Sequence, residues 1–550
     1  MSKMARKRSA LRTVDPQAEL SEDAEVYEDA NGVVWHFMLI YTDLTYGVKG
    51  NNKYYMAQLI QDGEEYMVWR RWGRVGAKIP QRSLEEYGTS LTKAQASFQK
   101  KFNDKSGNEW PLQGGFERVP RKYALVELDD QEPMEESGRG DEEAEEATSS
   151  VPSKLDERVQ DVMKLICDAD LINQEMAAMK LDLKRLPLGR LSQSQITQAY
   201  SLLDKLSNAV KEIERLSNEN DDEEVKPATT STRARRSTRP KRAVSSTRTK
   251  RLRVLKDQLK MLSNEFYILV PHDFGFTAPP PIDTMDDIKL KIDLLEVLAD
   301  IEISQKLQQE KRNAARADLN PLDAQYQVLN TDMVPLLETD DEFKTIQRYV
   351  ETTHAPTHIQ YKLQIRSVLK IHRREEDEFT STLDAVSNHR LLWHGSRLCN
   401  VVGILSKGLR VAPPEAPTNG YMFGKGIYFA DSVSKSANYC WTTPEQPRGV
   451  VILAEVALGD MHPALEAVDL NYDMIKQAHS CDSLHGLGRM AAPTETYETM
   501  QDGVVVPIGE FEPTGVTDGE LLYNEFVVYR KEQVRLRYLV SLDFLYETDE

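Results

Sequence analysis

Cysteine is scarce in this 550-residue chain: Cys167, Cys399, Cys440 and Cys481 lie far apart, with no Cys-x-x-Cys pair and no histidine cluster at zinc-ligand spacing. Neither a disulfide framework nor a bound metal is expected. No run of about 18 apolar residues is present, so no membrane-spanning helix is expected. Met1 to Arg12 is basic and polar and lacks an apolar h-region, which argues against a secretory signal. The reading is of a soluble intracellular protein. Positive charge is also in deficit, with 69 Lys and Arg against 88 Asp and Glu and a formal net charge of -19. A polyanion is attracted by positive surface, so this average speaks against a nucleic-acid partner. The average misleads, because the charge is segregated along the chain.

The length exceeds what one core supports and predicts three domains. Residues 1–23 read as a basic disordered tail. Residues 24–126 contain strand-like stretches (VVWHFMLIYT, KYYMAQLI, EEYMVWRRW) with Asp62-Gly63 as a hairpin signal, and a helix near Lys93 to Phe102. They predict a small antiparallel-sheet domain. Residues 127–153 form an acidic linker in which Arg139 is the only base between Glu127 and Glu146. Such a segment cannot bury enough apolar surface to offset its ordering entropy. Residues 154–316 are helical. Ser192 with Gln195 forms a capping box, and Ile196, Ala199, Tyr200, Leu203, Leu206, Val210 and Ile213 follow at helical spacing. A further helix is predicted from about Met285 to Arg312. This bundle is interrupted at 218–253 by an insert expected to be disordered, whose stretch STRARRSTRPKRAVSSTRTKRLR holds ten Lys or Arg, with no acid after Glu224. It reads either as a solvated loop or as a nuclear import signal or nucleic-acid contact. Residues 319–550 mix short strands with Gly and Pro turns, an α+β pattern with a largely antiparallel sheet.

Three segments of the last block carry chemistry: LLWHGSR (Leu391 to Arg397), YMFGKGIYFADSVSKSANYC (Tyr421 to Cys440) and LLYNEFVVY (Leu521 to Tyr529). Singly, each has an ordinary structural explanation. Together and in this order, with GILSKGLRVAPPEAP (Gly403 to Pro417) between the first two, they resemble the catalytic domain of the poly(ADP-ribose) polymerases, which has the ADP-ribosyltransferase fold. The resemblance implies NAD⁺ as a consumed substrate, no other cofactor and no metal. It implies that His394, Tyr428 and Glu525 form the family's triad. Gly395, through its backbone, and Ser436, through its hydroxyl, would hold the nicotinamide carboxamide; Tyr439 and Tyr428 would take the two faces of the ring. Ser396, Asn400 and Arg410 would meet the adenosine and diphosphate. A Glu at position 525 goes with polymer formation in this family rather than single transfer.

The residue types suit that chemistry. Breaking the nicotinamide–ribose bond develops positive charge on the sugar, as in glycoside hydrolysis. A carboxylate placed near the ribose stabilises that charge and can bond a ribose hydroxyl so that the acceptor becomes a better nucleophile. His394 reads as a binder and aligner rather than a base. A rival string, Gly486-Leu487-Gly488-Arg489-Met490-Ala491, satisfies the dinucleotide-binding fingerprint but lacks a preceding apolar strand, and Pro493 spoils the helix that should follow; it is expected to be a loop.

Asp293, Glu296 and Asp300 fall on one helical face. By itself this is a solvated stripe; by resemblance it is the last helix of the family's helical regulatory domain, and Glu296 and Asp300 are then expected at the NAD⁺ site. Trp72-Gly73-Arg74, with NNKYY before it, resembles the WGR domain, the DNA-binding module of the family's shorter, zinc-finger-free members. Its neighbourhood is basic and aromatic (Lys53, Trp69, Arg70, Arg71, Lys78, Lys93, Lys100, Lys101, Arg118, Arg121, Lys122), a pattern that suits phosphates and exposed bases. Asn52, Trp72, Gly73, Arg74 and Tyr123 are the candidate contacts with a 5′-phosphorylated DNA strand break. The resemblance thus implies a nuclear, break-activated poly(ADP-ribose) polymerase that modifies itself and chromatin proteins such as histones, in DNA damage signalling and repair. The alternatives are a mono-ADP-ribosyltransferase and a catalytically silent DNA-end-binding scaffold.

Overall fold

The computed structural model describes residues 13–21, 23–44, 51–75, 77, 79–126, 151–178, 193–218, 241–274, 277–316, 319–417 and 421–546. Lys78, Ser192, the acidic linker up to residue 150 and residues 219–240 of the basic insert lie outside them. Chain contacts group into two compact units: residues 1–142, 176–299 and 415–420 make the first, and residues 143–175, 300–414 and 421–550 the second.

In the first unit, strands β1 (Glu25–Val26), β2 (His36–Asp43), β3 (Asn51–Asp62), β4 (Glu65–Arg74), β5 (Gln81–Glu86) and β6 (Ala124–Val126) form one antiparallel sheet of order β5-β4-β3-β2-β6, with β1 on β3. The Asp62-Gly63 signal makes the β3–β4 hairpin, in which Asp62 pairs with Glu65 and Gly63 takes a positive φ of 60°. Helix α1 (Leu91–Ser106) presses Phe98 and Phe102 onto Phe37 of the sheet at ring-centroid distances of 4.9 and 5.0 Å. This aromatic cluster is the core of the small domain.

The expected disordered tail is in part ordered. Thr13 to Ala18 lies on the sheet: the Gln58 amide donates to the Thr13 carbonyl at 2.9 Å, and Asp15 accepts from the Trp69 indole at 3.1 Å and pairs with Arg71 at 2.8 Å. A carboxylate as buried as Asp15 is held only where such donors converge on it.

The second unit takes in helices α2 (Glu157–Ile166) and α3 (Ala169–Ala178), which begins there, whereas α4 (Gln193–Asn218) and α5 (Lys241–Leu269) belong to the first. The predicted stripe Ile196, Ala199, Tyr200, Leu203, Leu206 and Val210 is buried on α4. Residues 241–253, expected to be disordered, instead open the 29-residue helix α5. Their cations are not all idle: Arg251 pairs with Glu212 of α4 at 2.7 Å, and Arg248 donates to the Ser217 carbonyl at the C-terminal end of α4 at 3.1 Å. At its other end α5 meets the sheet. Asn264 accepts from the Leu44 amide at 2.9 Å, and Glu265 faces Arg118 at 3.6 Å.

Helix α6 (Met285–Arg316) covers the predicted Met285–Arg312 span and gives its first part to the first unit and its residues from Asp300 to the second. The second unit further contains α7 (Pro321–Val328), β7 (Thr331–Pro335), α8 (Asp341–Thr352), β8 (Tyr361–Arg373), α9 (Thr380–Asp384), β9 (His389–Gly395), α10 (Leu398–Lys407), β10 (Ile427–Phe429), α11 (Val433–Ala437), β11 (Arg448–Ala457), β12 (Met461–Ala464), α12 (Tyr472–His479), β13 (Ser483–Gly486), β14 (Met490–Ala491), β15 (Glu498–Thr499), β16 (Val505–Val506), β17 (Glu512–Pro513), β18 (Glu525–Val528) and β19 (Val534–Tyr546). A seven-stranded sheet of order β15-β16-β9-β11-β19-β8-β7 and a four-stranded sheet of order β10-β18-β13-β12 carry the fold; within these two sheets β12–β13 and β16–β9 pair in parallel and the other neighbours antiparallel. The architecture is the expected α+β with largely antiparallel sheets. Val159, Val162, Met163 and Ile166 of α2 and Ile303 and Leu307 of α6 share one core with Val401, Leu405, Val450 and Phe526. α2 and the later part of α6 thus belong to the same core as the strands of the second unit.

One buried pair in the first unit is pH-sensitive. The Nδ1–H of His272 donates to the Val270 carbonyl at 2.6 Å, and its Nε2 accepts from Lys291 Nζ at 2.8 Å. Burial, then the Lys291 charge, pushes this imidazole well below its ordinary value and keeps it neutral. Once unfolded, His272 titrates near about 6.5, so below that pH the unfolded chain takes a proton that the folded chain refuses. Stability contributed by the neutral ring is complete above pH ~6.5 and declines as pH falls below it. Thermal melts are expected to give a lower first-unit midpoint at pH 5.5 than at 7.5, with a smaller difference in His272→Gln.

Candidate active site

Sheet topology brings His394, Tyr428 and Glu525 together from three strands. β10 and β18 pair antiparallel, Tyr428 opposite Val527 and Phe429 opposite Phe526. The two sheets meet where Trp393 and Ala430 exchange backbone hydrogen bonds at 2.9 and 3.0 Å. His394 thus follows directly on a bridge to the residue two after Tyr428. Its Nδ1–H donates to the Tyr428 carbonyl at 3.0 Å, which leaves Nε2 as an acceptor in the neutral ring, and burial holds its basicity below the ordinary histidine value. A neutral, oriented imidazole can accept a hydroxyl hydrogen bond, the aligning role expected of it.

Tyr428 is fixed by its own hydroxyl, which donates to the Gly424 carbonyl at 2.7 Å and accepts from the Phe423 amide at 3.0 Å. Tyr421 stacks on it at 6.0 Å. Ser436 lies against the end of β9: its hydroxyl donates to the Trp393 carbonyl at 3.1 Å, and a Cβ built on Gly395 would stand 1.7 Å from the Ser436 carbonyl oxygen. Only glycine permits that approach. Tyr439, a few residues on, is 43% exposed. Ser396 and Asn400 join through a 3.1 Å bond at the start of α10, while Arg410 follows the other end of that helix.

Glu525 is held by a residue that sequence reasoning missed. Lys435 Nζ pairs with the Glu525 carboxylate at 3.0 Å and donates to the carbonyls of Tyr523 and Asn524 at 2.9 and 3.2 Å. Both charged side chains are largely covered, 17% and 15% exposed. Behind them the Asn524 amide donates to the fully buried Asp431 at 2.7 Å and accepts from the Gly488 amide at 2.9 Å. The rival fingerprint string is accounted for by this contact. Its residues form the end of β13, a short loop and β14, followed by a single 3-10 turn at Thr494–Thr496 rather than the α-helix of a dinucleotide fold, and they brace the strand that presents Glu525. No signal in the sequence pairs Lys435 with a carboxylate ninety residues away, although it sits beside Ser436 in the quoted segment.

Asp300 is the one acid of the predicted stripe that is buried. It pairs with Arg410 at 2.6 Å and Lys407 at 3.4 Å, and a Cβ on Gly403 would approach its carboxylate to 2.3 Å. Glu296, one turn earlier on α6, is exposed. A second carboxylate, Glu175 of α3, accepts from the Cys399 amide at the N-terminal end of α10 at 3.1 Å.

In the first unit the predicted DNA contacts divide. Asn52 is turned inward: its amide donates to the His272 carbonyl at 2.9 Å and its oxygen accepts from Thr42 at 3.3 Å, so it joins the sheet to the helices rather than facing a ligand. Trp69 and Arg70 are buried as well; Arg70 is tied to Glu85 at 2.5 Å and Ser97 at 2.7 Å, and Arg71 to Asp15. Composition alone could not separate these cations from free ones. Trp72 stacks on Tyr55 at 5.7 Å with its indole on Gln81. Gly73 and Arg74 end β4, partly exposed. Tyr123 remains partly exposed with Lys105 Nζ 5.3 Å from its ring centre, and the same ammonium is 4.9 Å from the Tyr55 ring. Burial, then the charges of Lys101 and Lys53, lowers the Lys105 basicity, which marks a cluster of like charges suited to an anion.

These strands, helices and side chains define a catalytic domain of the ADP-ribosyltransferase class. Residues 340–544 match the poly(ADP-ribose) polymerase catalytic domain, residues 153–326 the poly(ADP-ribose) polymerase regulatory domain and residues 35–117 the WGR domain. The chain is 39% identical over 538 residues to Poly [ADP-ribose] polymerase 2 of Homo sapiens, covering 96% of this chain and 83% of that one. It is 36% identical to Poly [ADP-ribose] polymerase 2-A of Oryza sativa subsp. japonica, over 90% of this chain and 68% of that one. Poly [ADP-ribose] polymerase 1 of Gallus gallus is 38% identical over 97% of this chain, which spans about half of that longer relative, 47%. The chain belongs to the poly(ADP-ribose) polymerase family.

Removing the Lys435 charge should free the Glu525 carboxylate from its position. Lys435→Met is expected to lower kcat for NAD⁺ turnover by about 10²-fold, the scale of losing one preorganised electrostatic group, with KM changed much less. Lys435→Arg should restore part of the loss; steady-state kinetics on the three proteins tests this.

Proposed function

We propose that this chain is a DNA-strand-break-activated poly(ADP-ribose) polymerase. The observation that carries the reading is the convergence of His394, Tyr428 and Glu525 at the junction of two sheets, with Glu525 fixed by Lys435. In this reading NAD⁺ binds with its carboxamide on Gly395 and Ser436 and its ring between Tyr428 and Tyr439. His394 aligns a ribose hydroxyl. As the nicotinamide–ribose bond breaks, the Glu525 carboxylate faces the developing positive charge, where a fixed anion in a water-poor site is worth most. The same carboxylate accepts a hydrogen bond from the hydroxyl that attacks next, which favours chain elongation. NAD⁺ is consumed; no metal and no further cofactor are needed. Acceptors are the protein itself and chromatin proteins such as histones, and the nucleus is the place of action.

DNA control is part of the same proposal. The Trp72, Arg74, Tyr123 and Lys105 surface takes a 5′-phosphorylated break, and DNA favours a state in which the regulatory helices release the NAD⁺ site. The Asp300–Arg410 pair supports this, because it engages a cation expected to meet the substrate.

With a 5′-phosphorylated nicked oligonucleotide, purified protein is expected to consume NAD⁺ many times faster than without it and to yield a ladder of long products on a gel. Glu525→Gln should abolish the ladder. Equal turnover with and without the nick would remove the DNA switch, single-unit products would make the enzyme a mono-transferase, and no turnover would leave an end-binding scaffold. Asp300→Asn is expected to raise the nick-independent rate at least several-fold, read in the same assay; an unchanged rate would separate this ion pair from control.

A further inference from the structure

The outer face of α5 is not used by the proposed mechanism. From Lys226 to Lys256 the chain carries twelve Lys or Arg and no acid, in a protein whose net charge is -19. Where this stretch is helical, the structure sorts its cations. Arg248 and Arg251 face α4 and are bonded to it. Lys250, Arg253, Lys256 and Lys260 are exposed and have no ion pair among the described residues. At about 100° per residue these four fall within an arc of roughly 120°, opposite the inward face made by Leu255, Leu259, Leu262 and Phe266. Asp257 is the one acid among them. The exposed apolar pair, Val254 and Met261, is two helical turns apart and makes no continuous patch.

We propose that this face of α5 is a second polyanion surface, which takes the phosphate backbone of duplex DNA away from any break. The inference rests on the DNA reading of the first unit given above. The helix rises about 15 Å from Lys250 to Lys260, and B-form duplex presents one charge per about 1.7 Å of axis, so all four cations can reach phosphates at once. The partner is duplex rather than a free anion because the cations are spread along a straight, packed helix and do not converge on a point. Continuity favours DNA as well: α5 is anchored on the sheet domain through Asn264 and Glu265, in the same compact unit as Trp72 and Tyr123. A surface of this kind holds the protein on intact DNA by counterion release, without reading sequence.

The test uses the full chain and a covalently closed dumbbell duplex with neither end nor nick, followed by fluorescence anisotropy over a range of salt. The comparison is with Lys250→Gln/Arg253→Gln/Lys256→Gln/Lys260→Gln, whose fold is checked by circular dichroism. Affinity for the closed duplex is expected to fall at least tenfold at low salt. The slope of log K against log salt should flatten by up to about 3.6, or about 0.9 for each phosphate that is no longer neutralised. Trp72→Ala, by contrast, should impair nick-stimulated turnover while keeping most of the closed-duplex slope. Unchanged affinity and slope in the four-fold variant would overturn the proposal, and stimulation by the nick would then show the break-sensing reading to stand without it. Loss of binding to free poly(ADP-ribose) with closed-duplex binding intact would also overturn it, in favour of that polymer as the occupant. If the wild type bound neither closed nor nicked DNA, the proposal and the reading beneath it would fall together.

Discussion

Everything about the catalytic half turns on keeping one carboxylate in place. Glu525 begins a strand, and the residue before it is locked on both sides, by the Asp431 carboxylate and the Gly488 amide. Lys435 then binds the carboxylate and the two preceding carbonyls at once. In the proposed reaction a charge held in this way would have no reorganisation left to undergo as the sugar becomes positive, which is the condition for electrostatics to act on the barrier. The arrangement needs the join between the sheets at Trp393 and Ala430, because without it β10 and β18 would present Tyr428 and Glu525 with no fixed relation to His394.

Shared packing governs the helices in the same way. α2 and the later part of α6 do not lie on a finished domain; their side chains complete the core that supports α10 and β11. Movement of those helices must therefore change the packing beneath the residues expected to bind substrate. Well-packed cores respond in discrete steps rather than by smooth deformation, which suits a switch better than a graded control.

Much of the candidate site was legible in the sequence because its residues fall in three nearly contiguous segments whose family resemblance names His394, Tyr428 and Glu525, residues that the paired strands then bring together. What remained hidden depends on pairing across distance. Lys435, Asp431 and Asn524 act through one another, and no spacing rule links residue 431 to 524. Asn52, Arg70 and Arg71 stand in a basic, aromatic stretch that invites a nucleic-acid reading. Which of them face water depends on partners elsewhere: His272, Glu85 and Asp15. α5 was obscured by composition, since Ser, Thr and Arg dominate its start. Its signal was the spacing of Leu252, Leu255, Leu259 and Leu262, with no Pro between Pro240 and Pro271.

Asp300 illustrates why an ion pair can serve control better than stability. The Arg410 side chain is 44% exposed, and a pair whose cation stays in water adds little to folding. What it fixes is which partner each charge has. Arg410, held by Asp300 at 2.6 Å, is also the cation proposed to meet the substrate's diphosphate. When a carboxylate gives way to a phosphate oxygen, the guanidinium exchanges one charge-assisted partner for another and is never left bare. The exchange leaves the buried Asp300 carboxylate with Lys407, at 3.4 Å, as its remaining partner, so its cost falls on the acid rather than on the guanidinium. A few kcal/mol from DNA binding elsewhere can decide it, within the range that couples distant sites in other proteins, about 1–3 kcal/mol.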